Sequence, residues 1–354
     1  MVEPGRVYQD EQPCRTIGSM TAMNREAMHH ADLPSGGSDA ARIGVVLSSG
    51  GGRGIYAHTG FLLALERMGI DIRASAGCSA GAVVGGVAAS GTDLQRWAHT
   101  IAQVARHEFW TPDSLPRFLW QMTVHRGRGY TGLSSADAAI DFCRRNLAVQ
   151  TFSECRYPFS AVAVSLGHGR KAVFSSGELA PRMMASAAMP VLYRPVKIDG
   201  EYYCDGALVE LAPIDAICCK HQLDAVIIHH VSQRLDEPGS LDRALQRRWA
   251  MAEILGRLLY HQRPWYLSEE RLTLRRCPDG CGSVVVVVES DLPELHWPLI
   301  EGGPRVLEAA MAQTSELLQP HLDALRTDPR TRLPIPPATA DRHAATRAPV
   351  CAPE

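Results

Sequence analysis

The chain has 354 residues, 45% of them hydrophobic and 21% charged, and its 36 Lys and Arg residues nearly balance its 38 Asp and Glu residues. This length allows one large domain or two ordinary ones, with enough apolar surface for a full core without disulfide or metal support. The formal net charge of −2 argues against a nucleic-acid-binding protein, which usually carries a basic excess, and the ordinary apolar content excludes wholesale disorder.

The first segment, residues 1–42, mixes Met, Pro, Gly and polar residues without periodicity, so we expect a flexible leader. It lacks the basic segment and apolar run of a secretory signal. The longest purely aliphatic stretch, Val284 to Val288, is far shorter than the roughly 20 residues of a membrane-spanning helix. These features predict a cytoplasmic protein.

Strands and helices then alternate. Ile43–Leu47 is a short apolar run, typical of a strand buried on both faces. A glycine-rich turn follows, and the periodicity predicts a helix over 55–68, a strand over 70–76 and a helix over 82–90. This order predicts an α/β fold with a parallel-sheet core and helices on both faces.

The rest of the chain continues in the same manner. We predict a helix over 136–147, strands over 159–164, 170–175 and 223–231, a helical stripe over 241–259, and strands at Leu272–Arg276 and Ser283–Glu289. The domain is expected to span residues 43–326, with an α/β extension over 220–326. A proline-rich disordered tail follows over 327–354.

The ten cysteines are scattered, as is usual for reduced thiols in a cytosolic protein. Cys277 and Cys281 flank a Pro-Asp-Gly turn between the last two strands. A zinc site would need two more ligands at matching spacing, and no second paired motif is evident. We therefore expect a hairpin with two incidental thiols, buried helix thiols at Cys218 and Cys219, and no metal or organic cofactor.

The first chemical motif is Gly77-Cys78-Ser79-Ala80-Gly81, placed where a strand meets a helix. Glycines at both ends let the backbone turn sharply enough to expose the Ser79 hydroxyl at the carboxyl edge of the sheet. A plain strand-to-helix loop is the alternative, since the pattern often occurs by chance. The flanking strand and helix favour a nucleophilic serine.

The second motif is the glycine-rich turn Ser49–Gly54, directly after the first strand. Consecutive glycines let N–H groups converge on an anion at a helix N-terminus. A phosphate-binding P-loop is excluded because no Gly-Lys-Ser/Thr follows. Two interpretations of the turn stay open. It could bind a dinucleotide, with Asp71 as the ribose-binding acid. It could instead form an oxyanion hole beside Ser79, which would explain two motifs at once.

The third motif is Cys204-Asp205-Gly206-Ala207. Asp-Gly is a strong hairpin-turn dipeptide, so by itself it indicates a turn more than a catalytic base. Only its combination with the other two motifs suggests chemistry.

Together, the three motifs resemble the patatin-like phospholipase family in order and approximate spacing. The likeness continues in Ala57–Gly60, Ala185–Pro190, Tyr193–Val196, Asp199–Tyr202 and Leu208–Asp215, and it covers residues 43–219, which form the family core. Two positions depart from the family pattern, because Ser49 replaces the first loop glycine and Cys78 stands where Thr is commoner.

The resemblance implies a lipid acyl hydrolase with a serine–aspartate dyad and no cofactor. Ser79 would be the nucleophile, Asp205 the base, and the N–H groups around Gly50, Gly51, Gly52 and Arg53 would hold the oxyanion. The remaining motif residues are Gly54, Gly77, Cys78, Ala80, Gly81, Gly206 and Ala207. A dyad is chemically coherent if desolvation raises the pKa of Asp205.

Alternatives to this interpretation stay open. A triad would need a histidine after the acid, and His221, His229, His230 and His261 are available. A Rossmann-type dinucleotide-binding protein and a catalytically silent lipid-binding member are the other two function classes. Finally, the aromatic and basic segment 107–130 suits either a peripheral membrane contact or an aromatic cluster packed over the sheet.

Overall fold

The computed structural model describes residues 40–231, 264–293, 295 and 302–336, with isolated positions at 242, 245, 246, 250 and 254. Its strands are β1 Ile43–Leu47, β2 Ile72–Cys78, β3 Gly132–Ser134, β4 Phe159–Ser165, β5 Arg170–Phe174, β6 Val191–Tyr193, β7 Val196–Ile198, β8 Glu201–Asp205, β9 Ala225–His230, β10 Leu272–Arg276 and β11 Val284–Glu289. Its α-helices are α1 Gly51–Arg67, α2 Ala80–Ala89, α3 Leu94–Gln103, α4 Leu115–Thr123, α5 Asp137–Asn146, α6 Leu179–Ala187, α7 Gly303–Leu318, α8 Leu322–Thr327 and α9 Pro329–Arg332.

The main sheet has the strand order β10-β11-β9-β1-β2-β4-β8-β7, and β5 also pairs with β4. Five neighbouring strands, from β11 through β9, β1 and β2 to β4, are parallel. The flanking strands β10, β5, β8 and β7 are antiparallel to their partners. The predicted parallel core is therefore confirmed, within a mixed sheet.

Both faces of the sheet are covered, which explains the uninterrupted apolar runs of its central strands. Alternate residues of β1 point to opposite faces: Leu47 packs in a cluster with Phe61 of α1, whereas Val46 packs with Ile217. The first face carries α1, α2 and α7, and the second carries the short 3-10 helix Ile214–Ala216. This arrangement matches the predicted layers of helices on both sides.

Some predicted boundaries differ from the structure. Strand β2 ends at Cys78 rather than at residue 76, and α1 begins at Gly51 rather than at residue 55. Several elements were not predicted, namely helices α3, α4, α6, α7, α8 and α9 and strands β3, β6, β7 and β8. The part of the predicted tail that the structure describes, 327–336, contains α9, and Leu333 is buried in the cluster that includes Ile43.

The expected leader up to residue 39 and the tail from residue 337 lie outside the described residues, as does most of the 241–259 stripe. Within the described part of the chain, no helix has the length and apolar character needed to cross a bilayer.

The expectation of buried helix thiols at Cys218 and Cys219 is wrong, because Cys219 is exposed and both residues lie in the turn after the 3-10 helix Ile214–Ala216. Cys277 and Cys281, expected to be incidental thiols of a hairpin, also have cysteine neighbours. The turn between β10 and β11 brings them to Cys218 and Cys219, and all four sulfur atoms lie within 4.8 Å of one another. Cys218 and Cys219 are adjacent in the sequence and lack the intervening residues of a usual metal-binding pair. They lie about 60 residues before Cys277 and Cys281, and the pairs meet because β9 and β11 are neighbouring strands of the sheet.

Candidate active site

Ser79 occupies the sharp connection between β2 and α2. Its backbone angles are φ 55° and ψ −119°, a strained conformation for a residue with a side chain. A Cβ atom on Gly77 would lie 2.2 Å from the carbonyl oxygen of Gly81, and one on Gly81 would lie 2.2 Å from that of Leu47. Only glycines therefore fit on both sides of the serine, as the motif predicts.

Asp205 reaches Ser79 from a different part of the sheet. It ends β8, which pairs with β4, the neighbour of β2. The Ser79 hydroxyl donates a 2.7 Å hydrogen bond to Oδ2 of Asp205, while Oδ1 accepts one of 2.9 Å from the backbone N–H of Ala207. The two side chains meet directly, with no group between them.

The electrostatics of this carboxyl group suit a proton acceptor. Asp205 is fully buried, and burial raises its pKa to about 7, although the N–H of Ala207 and the hydroxyl of Ser79 partly oppose the shift. A base acts best when its pKa lies near the working pH. The site thereby reduces the disadvantage of an ordinary aspartate relative to histidine.

The glycine-rich turn lies beside this pair. Gly51 has φ +56°, a conformation that favours glycine, and α1 begins there. The first N–H groups of a helix have no intrahelical acceptor and attract negative charge. Of the four expected donors, Gly51 and Gly52 line the same pocket as Ser79 and Asp205, whereas Gly50 and Arg53 are not among its described lining residues.

The other motif residues surround the pair. Cys78 is the buried last residue of β2, Ala80 is the first of α2 and lines the pocket, and Gly54 is buried in α1. Gly206 and Ala207 start a 3-10 turn.

Ser186 is a site residue to which the sequence assigned no role. Its hydroxyl accepts a 3.0 Å hydrogen bond from the backbone N–H of Ser79 and donates one to the carbonyl of Val162. It therefore fixes the strained serine connection to β4. The family-like stretch Ala185–Pro190 was the only available signal, and it did not single this residue out.

Two buried histidines, His58 and His229, contact each other and the residue that precedes the glycine-rich turn. Nε2 of His58 lies 2.7 Å from the carbonyl oxygen of Ser48, and its Nδ1 lies 2.8 Å from Nδ1 of His229, whose Nε2 contacts Ser290 Oγ at 3.2 Å. Burial lowers the pKa of His58 to about 4, partly offset by the Ser48 carbonyl, and lowers that of His229 as well.

Both rings are therefore neutral near pH 7, which determines the proton positions. A carbonyl only accepts, so His58 donates to Ser48 from Nε2. Nδ1 of His58 must then accept from Nδ1–H of His229, and the Ser290 hydroxyl donates to Nε2 of His229. The pair holds the strand end that precedes the glycine-rich turn.

The contacts of the described histidines argue against a histidine triad with Ser79 and Asp205. His229 is engaged by His58, and Nδ1 of His230 lies 3.1 Å from the Tyr266 hydroxyl. No histidine is among the described residues that line the pocket with Ser79 and Asp205. His261 lies outside the described residues.

The dinucleotide-binding alternative is excluded because Asp71 lies far from the glycine-rich turn. Asp71 precedes β2 and is exposed, 3.1 Å from Arg73. It therefore lies at the amino end of the strand, whereas the glycine-rich turn lies at the carboxyl end of β1, and these parallel strands place the two at opposite edges of the sheet. A ribose-binding acid has to share the ligand's edge.

The pocket lined by Ser79 and Asp205 is mostly apolar, with Arg106 as a further charged lining residue, and has a volume of about 270 Å³. Its walls come from α1, α2, α3, α5 and α6, from the segments that follow α3 and α6, and from Leu295 after β11. The apolar lining residues include Ile55, Val83, Trp97, Ile101, Val104, Phe109, Trp110, Phe142, Met184, Met189, Leu192 and Leu295. Such a lining suits an acyl chain or another long apolar group.

The aromatic segment 107–130 is divided between the pocket and the surface. Trp110 is buried, Phe109 packs against a buried hydrophobic cluster, and both line the pocket, which fits the aromatic-cluster alternative for these two residues. Helix α4 instead buries none of its residues. It exposes Leu115, Leu119, Trp120, Met122 and, just beyond its end, Val124.

Comparison with known proteins places this site in context. A family model described as patatin-like phospholipase matches residues 45–217. An uncharacterised NTE family protein of Mycobacterium tuberculosis is 33% identical over 181 residues, which cover 51% of this chain and 47% of that protein. Lysophospholipase NTE1 of Cryptococcus neoformans is 32% identical over 176 residues, 50% of this chain and 10% of that protein.

The matched segment thus spans about half the length of the mycobacterial relative. Among solved structures, VipD from Legionella pneumophila gives a TM-score of 0.46 at 14% identity, over 79% of this chain and 67% of that one.

Proposed function

Because the chain belongs to the patatin-like phospholipase family through residues 45–217, we propose that it hydrolyses carboxylic esters of lipids with Ser79 as nucleophile and Asp205 as base. The observation that carries the proposal is the direct 2.7 Å hydrogen bond between the two side chains, both of which line an apolar pocket. The relatives named for lysophospholipase activity support the same class of substrate.

The reaction begins with proton transfer. Ser79 Oγ attacks the ester carbonyl carbon while its proton moves to Oδ2 of Asp205. The tetrahedral intermediate collapses, the alcohol leaves with the proton from Asp205, and the acyl group stays on Ser79. Water then loses a proton to Asp205 and attacks the acyl-enzyme, which releases the fatty acid and regenerates both residues.

The oxyanion would be held by the start of α1. We assign this role to the N–H groups of Gly51 and Gly52, because both line the pocket beside Ser79. Donors that are already in place when negative charge develops lower the barrier by several kcal/mol in other hydrolases, on the order of 3 kcal/mol for one donor. Gly50 and Arg53 would shape the turn.

Substrate delivery would use α4. Its exposed apolar side chains include Leu115, which is 67% exposed, and Trp120, which is 58% exposed. Arg117, Arg126 and Arg128 lie in or just after the same helix and are also exposed. Apolar groups beside basic ones suit the interface of an anionic bilayer. We therefore propose peripheral contact with a lipid surface at α4.

The test is hydrolysis of a p-nitrophenyl ester and of a labelled lysophospholipid by wild type, Ser79→Ala and Asp205→Asn. Loss of a nucleophile or of its base commonly costs at least about 10²–10⁴-fold in rate. Ser165→Ala is the matched control, since Ser165 is a buried serine on β4 that bonds to the N–H of His168, and its activity should be near that of wild type.

Two results would contradict the proposal. Activity that survives Asp205→Asn but not Ser79→Ala would assign the base to another residue. A folded wild type that binds lysophospholipid without any turnover would identify a lipid-binding protein instead.

A further inference from the structure

The four cysteine sulfurs described above form the only group of three or more potential metal ligands found in the described residues. Cys218 and Cys277 are buried, Cys281 is partly buried and Cys219 is exposed. The residues come from two places, the segment before β9 and the turn between β10 and β11. Nothing in the proposed ester hydrolysis uses them.

The distances between the cysteine sulfur atoms fit a tetrahedron. Sγ of Cys218 lies 3.6 Å from Sγ of Cys281, and Sγ of Cys219 lies 3.8 Å from Sγ of Cys277. Zinc binds thiolates at about 2.3 Å, and a tetrahedron with that radius has edges of about 3.8 Å. The two sulfur–sulfur distances therefore match the edges of a Zn(Cys)₄ site.

The backbone around the ligands is held in place by hydrogen bonds. In the hairpin, the N–H of Cys277 donates to the carbonyl of Ser283 at 2.9 Å, and Gly280 takes φ +77° to close the turn. Three residues between Cys277 and Cys281 lie within the usual range for paired zinc ligands. On the other side, the N–H of Cys218 donates to the carbonyl of Ile214 at 2.9 Å.

Ser283 joins the two halves of the cluster. Its hydroxyl donates to the carbonyl of Leu223 at 2.6 Å and lies 3.2 Å from Sγ of Cys281. The hairpin and the segment before β9 are thus aligned by contacts that do not depend on a metal.

The location indicates a structural role. The cluster lies where β9 and β11 begin, next to the paired residues Ala225 and Val284. Ser79 follows the end of β2, which runs parallel to these strands through β1, so the two sites are at opposite edges of the sheet. Four protein ligands also leave no open position for a substrate.

We propose that Cys218, Cys219, Cys277 and Cys281 bind one Zn²⁺ ion that clips the β10–β11 hairpin to the segment before β9. Zinc suits four soft thiolates in tetrahedral geometry. Binding to the folded chain alone stabilises it, so the ion strengthens the sheet edge formed by β10 and β11.

The experiment is metal analysis of the full chain, purified without chelators, by inductively coupled plasma mass spectrometry. Wild type should contain about one zinc per chain, and Cys219→Ser and Cys281→Ser should lose most of it. Cys155→Ser is the matched control because Cys155 is a partly buried cysteine elsewhere, and it should keep its zinc. Chelation should lower the Tm of wild type and of Cys155→Ser alike.

Cobalt substitution provides a second readout that needs no variant. Wild type exchanged with Co²⁺ should show the visible absorption bands of tetrahedral thiolate coordination. Zinc-free protein with four titratable thiols, loss of those thiols as disulfides, or stoichiometric iron would each overturn the proposal. Ester hydrolysis is not part of this test, so failure here leaves the proposed function unaffected.

Discussion

The hydroxyl of Ser79 lies 2.7 Å from Oδ2 of Asp205, and burial of that carboxyl group raises its pKa to about 7. The base must be ionised to accept the proton. Below the pKa, the active fraction falls about tenfold for each pH unit. We therefore expect kcat/KM for a neutral ester to fall with this slope below about pH 7 and to level off above it. A flat profile from pH 5 to 8 would contradict the role of Asp205.

The same burial makes Asp205 costly for stability. A pKa near 7 instead of 3.8 means that the folded chain holds a proton that the unfolded chain has released, so stability from this group falls as pH rises from about 4 to about 7. The full cost is about 4 kcal/mol. Asp205→Asn removes the charge, so it should raise the free energy of unfolding while abolishing activity.

Urea denaturation at pH 5 and pH 8 measures this effect. The advantage of Asp205→Asn over wild type should be larger at pH 8. Asp199→Asn is the control, because Asp199 is exposed and pairs with Arg182, and it should show little change. An equal difference at both pH values would exclude the buried-charge explanation.

The pair of His58 and His229 predicts the opposite dependence. Burial lowers the pKa of His58 from 6.5 to about 4, so the unfolded chain takes up the proton first. Stability that is present above pH 6.5 is then lost as pH falls towards 4, by about 3 kcal/mol for His58 alone. His58→Gln should have a shallower loss between pH 6.5 and 4.5 than wild type, whereas exposed His168→Gln should follow wild type. Parallel unfolding curves for His58→Gln and wild type would contradict neutral buried rings.

Helix α4 gives a prediction about lipid surfaces. Trp120 is 58% exposed, and insertion of a large aromatic side chain into an interface is worth on the order of 1–3 kcal/mol. Trp120→Ala should therefore weaken binding to anionic vesicles by about 5- to 150-fold in a sedimentation assay. Val173→Ala is the control, because Val173 is exposed on the edge strand β5. Equal weakening by both substitutions would argue against α4 as the contact.

The sequence predicts the centre of this molecule better than its periphery. Apolar runs and glycine-rich turns predict β1, β2 and the connection at Ser79, because those features arise from neighbouring residues. They cannot place Asp205 beside Ser79, because the two residues are 126 positions apart in the sequence and their contact depends on the pairing of β8 with β4. The family resemblance supplied that partnership.

The same limit explains what was missed. The His58–His229 contact requires β1 and β9 to be neighbours, and the cysteine cluster requires β9 and β11 to be neighbours. Cys218 and Cys219 lack the spacing of a metal motif, so their meaning depends on the folded chain. The composition of segment 107–130 could not distinguish a membrane contact from a packed aromatic cluster, and only the structure shows that α4 buries none of its residues.

Acylation of Ser79 tests the central proposal most directly. Wild type should react with a fluorophosphonate probe on the peptide that contains Ser79, as identified by mass spectrometry, and Asp205→Asn should slow this labelling by about 10²-fold or more. Labelling at another residue, or an unchanged rate in folded Asp205→Asn, would contradict the serine–aspartate dyad.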